Sequence, residues 1–543
     1  MFGELISTGI TFGAGRILIN DAFSATANFN TITAVTISAA TIYSGSTDIG
    51  TLISGGGGTS GNLWSASTGS NSIIANNGTG NVASGAFSFA GGNSSKVGGP
   101  YAFVGGGQSN SASTYFTFVG GGNGNRAGAY GASILGGTGN RSTGVGSFVG
   151  GGAFNLSSGV QSTVSGGRLN TASTTYSVIG GGYGNLANGP KATIGGGYGN
   201  KSGPYATVAG GYMNNATANS AVIGGGNGNQ AYSTNATIAG GNYNQAHGNF
   251  SFVGAGQANS ATTNYTTTVG GFSNLSDGVY SVVVGGQVNK ATGARSFVGG
   301  GNTNTASGIR SVIVGGNGNT ASNSYSTIVG GSSNTASGSG SFIGGGTFNN
   351  ATNTRATVVG GTQSNATGYL SFVGAGYQNS SVGSWSTVVG GLKNTAGLNR
   401  AFVGGGSGNT AGDGSFVGGG QSNIADLYSA VPSGKFNIAA AFGGLASGAY
   451  NTINSDFSAI IGGGNNTINT SARRSVVIGM SSFTATASAT TYTDKFYVNQ
   501  FMDLNPQTTL PDPQTGRVFF SGTPLFRIMV NTGGTAADWM TLN

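Results

Sequence analysis

The chain has 543 residues, among them 110 Gly, 29 Phe and 20 Tyr, yet only 6% are charged and none is Cys. This composition excludes an ordinary pair of globular domains, disulfides and thiolate metal sites, and its strict apolar register excludes a disordered low-complexity chain. The formal charge of +8 comes from 19 basic and 11 acidic residues spread without a basic run, a density too low for a nucleic-acid groove.

Residues 1 to about 70 lack the periodic pattern of the central region and are expected to form an N-terminal attachment segment. They open without a basic stretch leading into a long apolar core, so no signal peptide is predicted. Thr31 to Tyr43 is a β-branched run that reads as a strand, and Ser54 to Thr59, four of them Gly, reads as a flexible joint. The chain has no run of 18 or more apolar residues, so no helix is expected to insert into a membrane.

From about 71 to 480 the sequence repeats about every fifteen residues. Asn marks the phase at Asn110, Asn125, Asn140, Asn304, Asn319, Asn334 and many other positions; twenty-seven units can be counted, with Ser95 the one replacement. Gly stands three residues before each anchor except at Asn365, where an extra residue is inferred. Val or Ile usually stands six before, and Ala usually two after. A period this short predicts a repeat architecture, and Gly-Gly in mid-unit excludes a helical one.

Each unit therefore reads as one coil of an all-β parallel solenoid or β-roll of about 27 coils. Its short apolar run makes a strand, and the Gly pair makes the turn after it. Stacked coils place the Asn side chains in one column, where neighbouring amides are expected to bond as a ladder. Val104, Val119, Val298, Ile313 and Ile343 are the predicted core, with Phe103, Phe118, Phe148, Phe297 and Phe342 as a second buried column. One coil buries too little to offset the entropy of ordering it, so stability must come from neighbouring coils and from other copies of the chain; a homo-oligomeric rod is expected.

Residues 481 to 543 change character, with Asp494, Asp503, Asp512 and Asp538 and larger apolar side chains. Arg517 to Phe520 and Leu525 to Val530 read as two strands joined by a turn, with Trp539 closing a small β cap that protects the last coil from edge pairing.

Candidate chemistry is sparse. The repeat holds only Asp277, Asp413, Asp426 and Asp456 as acids, and His247 is the chain's only histidine, so paired carboxylates are essentially missing and no enzyme is expected. Asp413 and Asp426 read as turn residues and His247 as a solvent-facing one. No metal or cofactor is expected, since calcium-binding β-rolls use a nine-residue repeat with Asp where this chain has Asn. Trp64, Trp385 and Trp539 read as packing residues. Phe520, Arg527 and Trp539, at the C-terminal end, are the candidates for receptor contact.

The units of the type Ser-Phe-Val-Gly-Gly-Gly-x-x-Asn-x-Ala-Ser-Gly, clear at 296 to 308 and 341 to 353, resemble the head repeats of trimeric autotransporter adhesins. The resemblance implies a left-handed parallel β-roll with three chains packed together. That family has a repeat nearer fourteen residues, an export signal and a C-terminal membrane anchor, none of which is expected of this chain. Pro513 to Gly522, followed by Phe526 to Val530 and Trp539, instead looks like the small terminal β-module of bacteriophage tail fibres.

The two likenesses together imply a homotrimeric phage fibre, made in the host cytoplasm and released by lysis. Its N-terminal segment would dock to a virion tail or baseplate protein, and its tip would meet a host cell-surface glycan or protein. The alternatives are a bacterial extracellular adhesin or filament subunit, and a glycan-cleaving spike. An ice-binding solenoid would need columns of Thr where this chain has Asn and Ala.

Overall fold

A computed structural model describes residues 64–75, 80–440 and 442–493. It also describes the backbone of short strands at Ile10–Gly13, Arg16–Ile19, Tyr43–Ser44, Thr47–Asp48, Val518–Ser521, Arg527–Asn531 and Trp539–Leu542. The chain divides into two compact units, Met1–Tyr428 and Ser429–Asn543. Each carries part of the same repeat. The joint expected at Ser54 to Thr59, and all of the expected Thr31 to Tyr43 strand except Tyr43, lie outside the described residues.

Each turn adds one rung to three parallel ladders. In the first, Phe103–Val104 pairs with Phe118–Val119 of the next turn; in the second, Ser111–Ala112 pairs with Arg126–Ala127; in the third, Gln108 bridges to Asn123. Pairing always runs between equivalent residues of successive turns, so the ladders are open stacks. Backbone groups are satisfied along the axis: the Thr305 N–H donates to the Asn319 carbonyl at 2.8 Å and the Asn302 N–H to that of Gly316 at 2.9 Å.

Among the described residues the second ladder counts 24 strands in the first unit, from Val82–Ala83 to Ile424–Ala425, and four in the second, from Ile438–Ala439 to Thr484–Ala485. That is one turn more than the Asn anchors indicate. Phe483 occupies the anchor place of the last turn, and its N–H donates to the Asn466 side chain at 3.1 Å.

Fifteen residues close into a turn because three of them take left-handed backbone angles. In one turn these are Gly301, Thr303 and Arg310, with φ of 88°, 55° and 56°. Only the first corner demands glycine. A Cβ on Gly301 would sit 2.0 Å from the carbonyl oxygen of Gly316 and 2.7 Å from the Asn304 amide nitrogen, whereas Thr and Arg hold the other two corners with their side chains outside.

The interior is as thin as the turn is short. Val104, Val119, Val298, Ile313 and Ile343 are fully buried, as is the Ala two residues after each of Asn110, Asn125 and Asn304. A Ser, Thr or Ala before nearly every first-ladder strand completes the layer, Gly444 taking that place before Leu445–Ala446, and Ser311 Oγ donates to the Gly308 carbonyl at 2.8 Å. The Phe column corrects the expectation of burial. Phe103, Phe118, Phe148, Phe297 and Phe342 are only half-buried, because the strand alternates and the following Val or Ile takes the inner side.

The open end of the first ladder is covered within the segment read from sequence as attachment. Trp64–Ala66 pairs antiparallel with Ile73–Ala75, and the Trp64 ring lies 4.8 Å from that of Phe89. Such a hairpin removes a bare strand edge. In the second unit the first ladder runs on to Thr491–Thr493, beyond the expected limit near 480. The C-terminal segment forms a three-stranded antiparallel sheet in the order Val518–Ser521, Arg527–Asn531, Trp539–Leu542.

Replacing Gly301 by Ala is expected to destabilise the first unit by at least about 3 kcal/mol, since its Cβ meets backbone at an already left-handed position. Gly300 to Ala, where nothing lies within 4 Å, should stay within about 0.5 kcal/mol. Denaturant unfolding followed by circular dichroism compares the two.

Candidate functional site

The Asn column is built alike through most of the repeat. Asn319 Nδ2 donates to the Gly315 carbonyl of its own turn at 3.1 Å and to the Gly331 carbonyl of the next at 3.0 Å, while its Oδ1 accepts the Asn334 N–H at 3.0 Å. Asn110, Asn125 and Asn140 repeat this pattern, and so do Asn304 and Asn334. The ladder expected between amides is therefore mainly a ladder from amide to backbone. Direct amide contacts occur at a few steps, such as Asn304 Nδ2 to Asn289 Oδ1 at 3.1 Å.

Asn365 is not an anchor. The buried anchor position of that turn is Ser364, whose N–H donates to Asn349 Oδ1 at 2.9 Å, while Asn365 begins the second-ladder strand one residue on. No residue is inserted. Ser is too short to reach either Gly carbonyl, and its Oγ is buried without a partner.

Two surfaces run alongside this scaffold. On the outer face of the first ladder, each turn presents two residues, and wherever the first is Phe the second is Gly. The ring fills the glycine's space: Phe297 Cε1 lies 3.3 Å from where a Cβ on Gly299 would be. Turns without Phe present pairs such as Val312 and Val314 or Thr327 and Val329. No charged residue occupies either position from Phe103 to Gly418, and Val314 is 50% exposed.

The second surface is the corner that carries Arg310. From Phe250 to Arg400, successive turns place Phe250, Tyr265, Tyr280, Arg295, Arg310, Tyr325, Gly340, Arg355, Leu370, Trp385 and Arg400 there. Rings stack along it, 5.2 Å apart for Phe250 and Tyr265 and 4.8 Å for Tyr265 and Tyr280. Arg295 lies over the Tyr280 ring at 5.7 Å and Arg310 over Tyr325 at 5.3 Å. Sequence reasoning missed this column, although its signal is the same fifteen-residue spacing, read at a position the consensus leaves variable. Trp385, expected to be a packing residue, is 53% exposed and meets Tyr369 edge-on.

The acids serve local structure. Asp426 accepts the Leu427 N–H at 2.9 Å, Asp277 accepts the Thr262 hydroxyl, and Asp456 pairs with Arg473 at 2.8 Å. Asp413 lends its carbonyl to the Tyr428 N–H. Among the described residues no three His, Cys, Asp or Glu side chains gather as a metal site would require. His247 departs from the solvent-facing expectation: its ring stacks on Tyr232 at 5.2 Å, its Nε2 is buried without a partner, and burial lowers its pKa below the ordinary 6.5. Phe520, Arg527 and Trp539 lie in the C-terminal sheet, where Phe520 stands opposite Ile528, Arg527 opposite Ser521 and Trp539 opposite Asn531; their side chains fall outside the described residues. No family model and no curated protein matches this chain.

Asn319 to Ala removes two donated bonds and leaves the Asn334 N–H without its acceptor, which is expected to cost about 2–4 kcal/mol in denaturant unfolding. Ser364 to Asn restores the missing rung and should raise stability by about 1 kcal/mol in the same measurement. Because the folded state holds His247 neutral, its contribution is intact above pH 6.5 and is lost as pH falls from there through the lowered folded value. The melting temperature should therefore drop further between pH 7.5 and 5 for the unaltered chain than for His247 to Phe.

Proposed function

We propose that this chain is the subunit of a homotrimeric, non-enzymatic fibre on a bacteriophage virion. The repeat acts as a shaft, the N-terminal segment docks to a tail or baseplate protein, and the C-terminal segment meets a glycan or protein on the host surface. The observation that carries the reading is the in-register stacking of near-equal turns. At about 4.8 Å per turn, the 24 of the first unit span on the order of 110 Å. A structure that spends so many residues on length, with the four acids of the repeat engaged in local contacts, suits reach better than catalysis.

The trimer draws support from the uncharged outer face of the first ladder. Exposed apolar surface continued over many turns exceeds what a solitary soluble chain usually leaves in water, and three copies packed on that face would bury it. The number three rests on the resemblance to adhesin head repeats. Joining three C-terminal segments also lets weak individual contacts act together.

Sedimentation equilibrium of the full chain is expected to give three times 52.9 kDa, and replacing Val314 and Val329 by Lys should yield single chains. A single-chain mass at micromolar concentration for the unaltered protein would remove the trimer. Labelling purified virions with an antibody to the C-terminal segment separates the phage fibre from a cellular adhesin: decoration of the particles supports the first, and a label confined to the bacterial surface supports the second.

A further inference from the structure

Between Phe250 and Arg400 the Arg310 corner is interrupted at one place, with an aromatic residue on one side and a cationic one on the other. At Gly340 the column loses its side chain, so the Tyr325 ring, covered on one face by Arg310, has no partner from the next turn on the other. Arg355 follows one turn further on, its Cγ 3.6 Å from where a Cβ on Gly340 would sit. The result is a cleft of about 460 Å³ lined by Tyr325, Ser339, Gly340, Thr354, Arg355 and Tyr369. Trp385 braces Tyr369 from outside, with ring centroids 5.6 Å apart.

Its electrostatic setting is one-sided. Between Asp277 and Asp413 the sequence has no acidic residue, while Lys290, Arg295, Arg310, Arg355, Lys393 and Arg400 all fall there. The repeat then brings four of these arginines to the same corner. Charge that looks dilute along the chain is concentrated along one edge of the fold, without a carboxylate to neutralise it.

We propose that the Gly340 cleft binds a carboxylated sugar residue within an acidic polysaccharide. The open face of Tyr325 offers the flat apolar surface on which a pyranose ring stacks, and Arg355 offers the planar donor fork that pairs with a carboxylate. Ser339 and Thr354 supply hydroxyls for the ring substituents. A neutral sugar leaves the arginine unused, and a nucleic acid would follow phosphates along the whole edge without need of the notch. The site lies on the side of the repeat, so it goes beyond attachment through the C-terminal segment.

The test uses the full chain and isothermal titration with tetragalacturonic acid, maltotetraose and a dT tetranucleotide. Tetragalacturonic acid should bind, with maltotetraose and the tetranucleotide at least about tenfold weaker. Gly340 to Tyr should refill the column and lower the affinity at least about tenfold. It should fold, because Tyr265, Tyr280 and Tyr325 adopt the same left-handed angle at this corner. Arg355 to Gln should lower the affinity comparably, and Gly131 to Tyr, at a corner glycine whose column neighbours are Phe116 and Gly146, should leave it unchanged. Undiminished binding by a folded Gly340 to Tyr chain, equal binding of the neutral or nucleotide probe, or no binding of the acidic one would overturn the proposal. No particle or host cell enters this measurement, so its failure leaves the fibre reading standing, and absence of the chain from virions leaves the site standing.

Discussion

The asparagine carboxamide, held between two turns of backbone, is the contact on which the rest of the structure depends. Its donor reaches one carbonyl in its own turn and one in the next, and its acceptor takes the following anchor's N–H, so each turn is positioned in register on its neighbour. Close approach makes this possible: the glycine three residues before the anchor sits where any side chain would strike the next turn's backbone. Asparagine and glycine thus recur together for one steric reason. Where Ser364 stands instead, the backbone keeps its path and only the side-chain link is lost, which shows that flanking turns can carry a single defect.

A thin interior has consequences for the outside. With only small and β-branched residues enclosed, the larger side chains of the repeat must project outward, and stacking at one turn's spacing gathers them into continuous columns. One column became an uncharged face in which phenylalanine rings lie over glycines; another became an edge of stacked rings and guanidinium groups. These surfaces follow from the same periodicity that forms the core, because every residue type that recurs in sequence is brought next to its own kind along the axis. Rings at about this spacing still gain from contact, and arginines placed over tyrosines lose less to mutual repulsion than they would alone.

Charge shows most clearly how a repeat converts sequence into surface. Lys and Arg are few and far apart along the chain, yet residues separated by fifteen positions are nearest neighbours in space. Arg295 and Arg310 are adjacent on the corner, and both rest on tyrosines of neighbouring turns. Gly340 matters for the opposite reason. Glycine here is not required by the backbone, since tyrosine and arginine adopt the same angle one turn away; what it contributes is the space left by a missing side chain.

The sequence by itself determined the parallel stack, its period and the inward Val, Ile, Ala and Asn positions, because a strict repeat specifies which residues meet along the axis. It left open which way each remaining position faces around the turn. That depends on where the three left-handed corners fall, and two of those corners accept residues with no recognisable signature. Only the tertiary structure therefore turned the phenylalanine column outward, moved the anchor from Asn365 to Ser364, and assembled Tyr325, Gly340 and Arg355 into one cleft. Neighbourhood along a solenoid is a matter of counting, whereas the direction of a side chain is set by backbone angles that the count does not contain.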